Sequence, residues 1–266
     1  MIANFHTHST FCDGKHTPEE IILAAIEKGF SAIGFSGHGY TPFDLRYCMK
    51  DTPGYIAEIN RLKEQYQSRI QVYLGIEEDA LAFVDRSQVD YIIGSSHYIH
   101  VKDTYYSVDS GYDYITRCLA AFDNDVLSMA EAYYSTFCDY IRTRKPDIIG
   151  HFDLITKYDE KNMPLFLGDP GYHRIAERYI AEAAKSGSIF EVNMGAMARG
   201  LRTDPYPHDN LLHVLKKLDA PLILSSDSHH IDTLDLGFED VKNHLCDIGF
   251  TQLWTLDHGK FVPYSI

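Results

Sequence analysis

Ile2-Ala3-Asn4-Phe5-His6-Thr7-His8 is a short β-rich run that ends in two histidines spaced two apart. In an extended chain, side chains at i and i+2 point the same way, so His6 and His8 present two imidazoles on one side. The pattern then recurs. Ser31-Ala32-Ile33-Gly34-Phe35 leads into Ser36-Gly37-His38, and Ile70-Gln71-Val72-Tyr73-Leu74 leads into Gly75-Ile76-Glu77. Asp90-Tyr91-Ile92-Ile93-Gly94 leads into Ser95-Ser96-His97, and Asp147-Ile148-Ile149-Gly150 runs directly into His151. Ile189-Phe190-Glu191-Val192 is a sixth run. Pro221-Leu222-Ile223-Leu224 is a seventh, followed by Ser225-Ser226-Asp227-Ser228-His229, where Asp227 and His229 again sit two apart.

Helix-like stretches separate these runs. Thr17-Pro18-Glu19-Glu20 opens the first, with Thr17 as N-cap, Pro18 in the first turn, Glu20 closing a capping box and Gly29 ending the helix. Further helices are expected over 53–67, 112–143 with a break near Asn124, 172–185, 209–218 and 238–246, with two short strands near 252–256 and 260–263. Seven largely unalternating strands interleaved with helices predict a parallel β/α architecture, as an open doubly wound sheet or a closed barrel. Six of the seven strands run into a histidine, aspartate or glutamate at the C-terminal side. Active sites of β/α barrels are built from those ends. An open sheet would spread the six along an edge, whereas a closed barrel converges them, so the barrel is the expected fold.

The candidate set is His6, His8, Asp13, His38, Glu77, His97, His151, Asp227 and His229, with Asp13 in Cys12-Asp13-Gly14 after the first strand. Six histidines and three carboxylates exceed what one ion needs, because zinc usually takes four ligands. Two or three divalent ions are therefore expected. Imidazole and carboxylate without thiolate suit zinc, iron or manganese.

Composition narrows the function classes. The 266 residues are 45% hydrophobic and 23% charged, an ordinary globular balance that excludes disorder as the dominant state. No apolar run approaches the length of a membrane span, and the first residues lack the basic start and apolar stretch of a signal peptide. The net charge of −14 disfavours nucleic acid and anionic membranes as partners. The five cysteines are odd in number and form no C-x-x-C, which suits a reducing cytoplasm. An anionic small substrate would need local positive charge from a metal or from arginine and lysine.

The joint pattern resembles the polymerase-and-histidinol-phosphatase (PHP) family of metal-dependent phosphoesterases. The residues carrying it are His6-Thr7-His8, Asp13-Gly14, His38, Glu77, His97, Gly150-His151 and Asp227-Ser228-His229, which span 2–230 in order. The resemblance implies a distorted seven-stranded (β/α)7, TIM-like barrel of the α/β class, filled by one domain over 1–266. It also implies a trinuclear site. By that analogy His6, His8, Glu77 and Asp227 hold one ion, Glu77 bridges to a second completed by His97 and His151, and Asp13, His38 and His229 hold a third. Gly75-Ile76-Glu77, Ile93-Gly94-Ser95-Ser96-His97, Gly150-His151-Phe152-Asp153-Leu154-Ile155, Glu191-Val192-Asn193, Pro205-Tyr206-Pro207 and Ser226-Asp227-Ser228-His229-His230 are most similar to the stand-alone histidinol-phosphate phosphatases. The stretch Met194-Gly195-Ala196-Met197-Ala198-Arg199-Gly200 departs from that pattern where a Gly-Leu-Arg-like phrase is expected.

The implied activity is hydrolysis of a phosphate monoester, with L-histidinol phosphate as the leading substrate and a water activated between metal ions as nucleophile. Alternatives are another PHP phosphoesterase acting on nucleotides or phosphotyrosine, a metal-dependent amidohydrolase, and a noncatalytic metal-binding scaffold. Amidohydrolases add a bridging lysine, and no strand end here carries one. Glu77 and Asp227 are the expected catalytic carboxylates, with His230 as candidate donor to the leaving alkoxide. Arg199 is the first candidate for phosphate, with Arg202 and Lys157 behind it. Asp153 and Asp159 are candidates for a cationic amine, His16 is a candidate to touch the site, and Tyr98, Tyr105, Tyr106, Tyr112 and Tyr114 are expected in the core or on the rim.

Overall fold

The structure is a computed structural model that describes residues 2–266. The chain begins with β1 (Ala3–Asn4), β2 (Ala32–Phe35), β3 (Gln71–Asp79) and β4 (Tyr91–Ser95). β5 (Tyr98–Val101) and β6 (Thr104–Ser107) then leave the sheet as an antiparallel hairpin, before β7 (Ile148–Ile149), β8 (Ile189–Asn193) and β9 (Leu222–Ser225) resume it. The main sheet has seven strands in the order β1-β2-β3-β4-β7-β8-β9, and every pair in it is parallel. β10 (Gln252–Asp257) and β11 (Lys260–Ser265) form a C-terminal hairpin beside β9.

The sheet curls until its edges meet. Thr7, just past β1, bridges Ser228, just past β9; His8 N donates to the Ser228 carbonyl at 2.9 Å and Ser228 N to the His6 carbonyl at 3.1 Å. Asn4 ties the seam from the side, its Nδ2 donating to Ser226 Oγ at 2.6 Å. The closing contacts are therefore made by the residues that flank the metal-ligand candidates.

The connecting helices are α1 (Pro18–Glu27), α2 (Thr52–Tyr66), α3 (Tyr112–Ala120), α4 (Val126–Arg144), α5 (Pro170–Ala183), the short α6 (Gly195–Ala198), α7 (Asp209–Lys217) and α8 (Phe238–Ile248). α1 has the expected capping box: Thr17 accepts from Glu20 N, and the Glu20 carboxylate takes the Thr17 N–H. The expected break between α3 and α4 falls at Asp123 and Asn124, both at positive φ. The sequence pattern predicts neither the hairpin at 98–107 nor α6. It also ends the third strand at Leu74; β3 continues to Asp79, because 75–79 pair with 91–95 of β4. No helix of the described residues is long and apolar enough to cross a membrane.

The lower end of the barrel is plugged by Phe5, Tyr73, Tyr91, Ile93, Ile148, Ile189, Ile223 and Leu256. Tyr91 crosses this interior and donates its hydroxyl to the Phe5 carbonyl at 2.5 Å. It fits only because its neighbours lack side chains: a Cβ on Gly75 would lie 2.3 Å from the Tyr91 ring, and one on Gly34 would lie 2.4 Å from its hydroxyl.

Candidate metal centre

All nine candidates converge at the upper mouth of the barrel. His6 and His8 follow β1, His38 follows β2, and Glu77 lies within β3. His97, His151 and Asp227 with His229 follow β4, β7 and β9. Asp13 reaches in from the loop before α1. Four overlapping groups of these residues place ligand atoms within 4.8 Å of one another: His6-His8-Asp227, His6-Glu77-His151, His38-Glu77-His97 and His8-Asp13-His38-His229.

Glu77 stands at the centre. Its Oε1 faces His151 Nε2 at 3.0 Å and His97 Nε2 at 3.3 Å, and its Oε2 faces His38 Nδ1 at 2.8 Å and His6 Nε2 at 3.4 Å. Asp227 Oδ1 lies 3.1 Å from His8 Nε2 and 3.7 Å from His6 Nε2. Asp13 Oδ1 lies 3.3 Å from His229 Nε2 and 3.7 Å from His38 Nε2. Asp227 has a φ of +48°, in the left-handed region that non-glycine residues rarely adopt. Gly195 makes room for it, since a Cβ there would sit 2.5 Å from Asp227 Oδ2.

Burial works against charge on Glu77, Asp227, His6, His8 and His97, and the neighbours decide the outcome. Burial opposes ionisation of Glu77, but His38, His6 and His97 outweigh it and hold the carboxyl well below its usual range. Burial likewise opposes charge on Asp227, and Arg199 and His6 outweigh it. Burial lowers His8 to about 3, and His229 and His38 push the same way, which favours the neutral imidazole. Burial opposes protonation of His6 and His97, but the surrounding carboxylates raise both above the ordinary histidine range.

The donor set fits divalent cations. His6 Nε2, His8 Nε2, Asp13 Oδ1 and Glu77 Oε2 are buried and have no hydrogen-bond partner of acceptable geometry. Buried polar atoms are otherwise almost always satisfied. Four orphans on facing side chains, all imidazole nitrogen or carboxylate oxygen, match the chemistry of zinc, iron or manganese.

Two further carboxylates support the cluster from behind, and the sequence pattern assigns neither a role. Glu191 accepts from His6 Nδ1 at 2.8 Å through Oε2 and from His151 N at 2.6 Å through Oε1. It thereby fixes the ring through which His6 aims Nε2 at the centre. Asp79 takes His97 Nδ1 at 3.1 Å and His97 N at 2.9 Å. Strand periodicity offers a signal for Asp79, which is two residues beyond Glu77 and shares its side of β3.

A cavity of about 380 Å3 opens onto this cluster. The PHP domain family pattern matches residues 4–195 of the chain, most of its length. The chain belongs to the PHP family. Among similar proteins, a "probable histidinol-phosphatase" of Schizosaccharomyces pombe is 27% identical over 97% of this chain and 90% of its own length. The histidinol-phosphatase of Bacillus subtilis is 24% identical over 88% of this chain and 96% of its own length. The crystal structure of histidinol phosphate phosphatase from Lactococcus lactis, described as complexed with zinc, L-histidinol and phosphate, superposes with a TM-score of 0.76 at 19% identity, covering 98% of each chain. That superposition establishes the shared barrel fold of this PHP protein.

The remaining candidates divide. Arg199 lines the cavity of the PHP centre, with Nη2 3.0 Å from His229 Nδ1 and Nη1 3.5 Å from Asp227 Oδ2. α6, formed by the departing stretch, carries it there. Lys157 also lines the cavity, with Tyr98 and Tyr47 on the wall. Tyr105, Tyr106, Tyr112 and Tyr114 do not line it. Arg202 requires correction. Its side chain is 0% exposed and off the cavity, donating to Thr156 Oγ1 and the Pro205 carbonyl while lying over the Tyr206 ring. It braces the loop and offers no fork to a phosphate. His230 also requires correction. It is half exposed, pairs with Asp232 at 3.2 Å and lies off the cavity, because the turn after His229 points it outward beside His16. Asp159 accepts backbone N–H groups of 165–167 and Asp153 that of His208, so neither faces an amine site.

Proposed function

We propose that this protein hydrolyses small phosphate monoesters, with L-histidinol phosphate as its substrate, releasing L-histidinol and phosphate. The observation carrying this reading is the convergence of His6, His8, Asp13, His38, Glu77, His97, His151, Asp227 and His229 at the barrel mouth, where Asp13, His38, His97, His151, Asp227 and His229 line one cavity together with Arg199. The named similar proteins favour histidinol phosphate among monoesters.

Each residue has a part in this scheme. His6, His8, Glu77 and Asp227, then Glu77 with His97 and His151, and Asp13 with His38 and His229, would hold the divalent ions. Such ions supply an activated water and neutralise charge on the phosphoryl oxygens. Glu77 and Asp227 stay ionised in the buried mouth, which keeps them available as ligands at neutral pH. Arg199 has its guanidinium beside Asp227 and His229 and would take phosphoryl oxygens in a fork. Lys157 and Arg46 are further cations on the cavity wall. Together these groups admit a dianion to a protein of net charge −14. That net charge and the five free cysteines support a cytoplasmic setting without nucleic-acid or membrane partners.

The test is kcat/KM of the metal-loaded protein across L-histidinol phosphate, nucleoside monophosphates, phosphotyrosine and a cyclic amide. A clear preference for L-histidinol phosphate supports the proposal. Preference for another monoester keeps the chemistry and removes the substrate, and cleavage of the amide alone removes both.

A further inference from the structure

Three carboxylates line the cavity: Asp13, Asp109 and Asp227. Asp13 and Asp227 belong to the metal-ligating groups, and Asp109 belongs to none of them. Asp109 follows the β5–β6 hairpin in a loop fastened on every side. Val108 N donates to the His97 carbonyl at 2.9 Å, which ties the loop to the metal-ligand wall. Ser107 Oγ donates to Asp109 Oδ1 at 2.9 Å. The Asp109 carbonyl accepts from Lys157 Nζ at 3.3 Å and from the Tyr158 hydroxyl.

The second carboxylate oxygen is treated differently. Oδ2 has one partner among the described residues, Lys157 Nζ at 3.5 Å, at the outer limit of a hydrogen bond. The lysine is nearer the carbonyl than the carboxylate, and the Asp109 side chain is 27% exposed on the cavity side. A fixed anion with an under-used oxygen thus shares one small cavity with groups suited to a phosphoryl dianion. An anion placed there costs binding of a simple phosphate ester by repulsion. It repays that cost only for a substrate that carries a cation.

We infer that Asp109 is the receptor for a substrate ammonium group, making the site selective for phosphate monoesters with an amine on the carbon next to the ester carbon. This rests on the phosphatase reading above and narrows it. L-Histidinol phosphate has this arrangement, and nucleoside monophosphates and phosphotyrosine do not carry the amine at that position.

The experiment compares kcat/KM for L-histidinol phosphate and for its analogue lacking the amine, in metal-loaded wild type, Asp109→Asn and Asp109→Glu. In wild type the aminated ester is preferred. In Asp109→Asn that preference falls by roughly tenfold to a hundredfold, the scale of a lost charge-assisted hydrogen bond. Asp109→Glu keeps the anion and retains part of the preference. A preference ratio in Asp109→Asn equal to that of wild type overturns the assignment, as does a wild type that turns over both esters alike; the phosphatase reading survives either result. Failure of the metal-loaded wild type to hydrolyse either ester removes that reading and this inference with it.

Discussion

The lower end of the barrel is filled by Phe5, Tyr91, Ile93, Ile148 and Ile223, and its buried Tyr91 hydroxyl is bonded to the carbonyls of Phe5 and Phe35. The upper end is built mainly from continuations of the same strands, yet it gathers six imidazoles and three carboxylates, all but Asp13 and His229 buried, and leaves four of their ligand atoms without partners. Within β3 the change takes one residue: Ile76 packs in the apolar core and Glu77 faces the ligand cluster. Below, each fully buried large side chain contributes roughly 1.5–3 kcal/mol through burial. Above, burial alone would destabilise every charged group, and the arrangement is stable only because opposite charges interlock and because cations can satisfy what they leave over. The lower end supplies the apolar packing on which the upper end, itself closed at the Thr7–Ser228 seam, can keep unfavourable groups in place.

If the division of labour is real, substitutions at the two ends should fail in different assays. Glu77→Gln should give the largest effect. It removes the carboxylate shared by two ligand groups, and kcat/KM should fall about a thousandfold or more, the scale for losing a preorganised electrostatic group. Metal content by elemental analysis should fall with it. Ile148→Ala should do the reverse. Ile148 is fully buried in the lower plug, and its truncation should cost about 2–5 kcal/mol in urea unfolding with metal stoichiometry intact.

Chelation sharpens the comparison. Each ion bound only by the folded mouth at a hundredfold excess over Kd stabilises by about 2.7 kcal/mol, so stripped protein should lose that much unfolding free energy for every ion removed. Wild type and Ile148→Ala should lose the same increment, because independent sites add. Unequal losses would mean that the two ends are energetically coupled. The smallest effect is expected at Glu191→Gln. It weakens the bond that orients His6, and metal affinity by competitive titration should fall roughly tenfold to a hundredfold. An unchanged affinity would leave Glu191 a part of the barrel wall alone.

Much of the barrel and its metal centre is legible in the amino-acid sequence, for a physical reason. Metal ligation needs particular side chains, and a barrel needs strands that end together, so H-x-H, G-H and D-x-H at strand ends report fold and site at once. Capping is equally local: Thr17 and Glu20 are three residues apart, and nothing distant decides whether their box forms. The misreadings share the opposite cause. Arg202 and His230 sit close in sequence to Arg199 and His229, but a turn of backbone sends one over the Tyr206 ring and the other out beside His16. Proximity along the chain carries no information about which way a loop turns. Glu191 and Asp109 give no local signal because their partners, His6 and Lys157, are remote in sequence, and only the closed barrel brings them together.

The most direct measurement follows hydrolysis of L-histidinol phosphate while zinc or manganese is added stepwise to chelated protein, with bound metal counted in the same samples and Asp227→Asn as the companion. Activity should be absent without metal, rise beyond the first equivalent as the adjoining groups fill, and remain absent in Asp227→Asn. Full activity in protein shown to be metal-free, or undiminished activity in Asp227→Asn, would contradict the metal centre at the barrel mouth as the seat of the reaction.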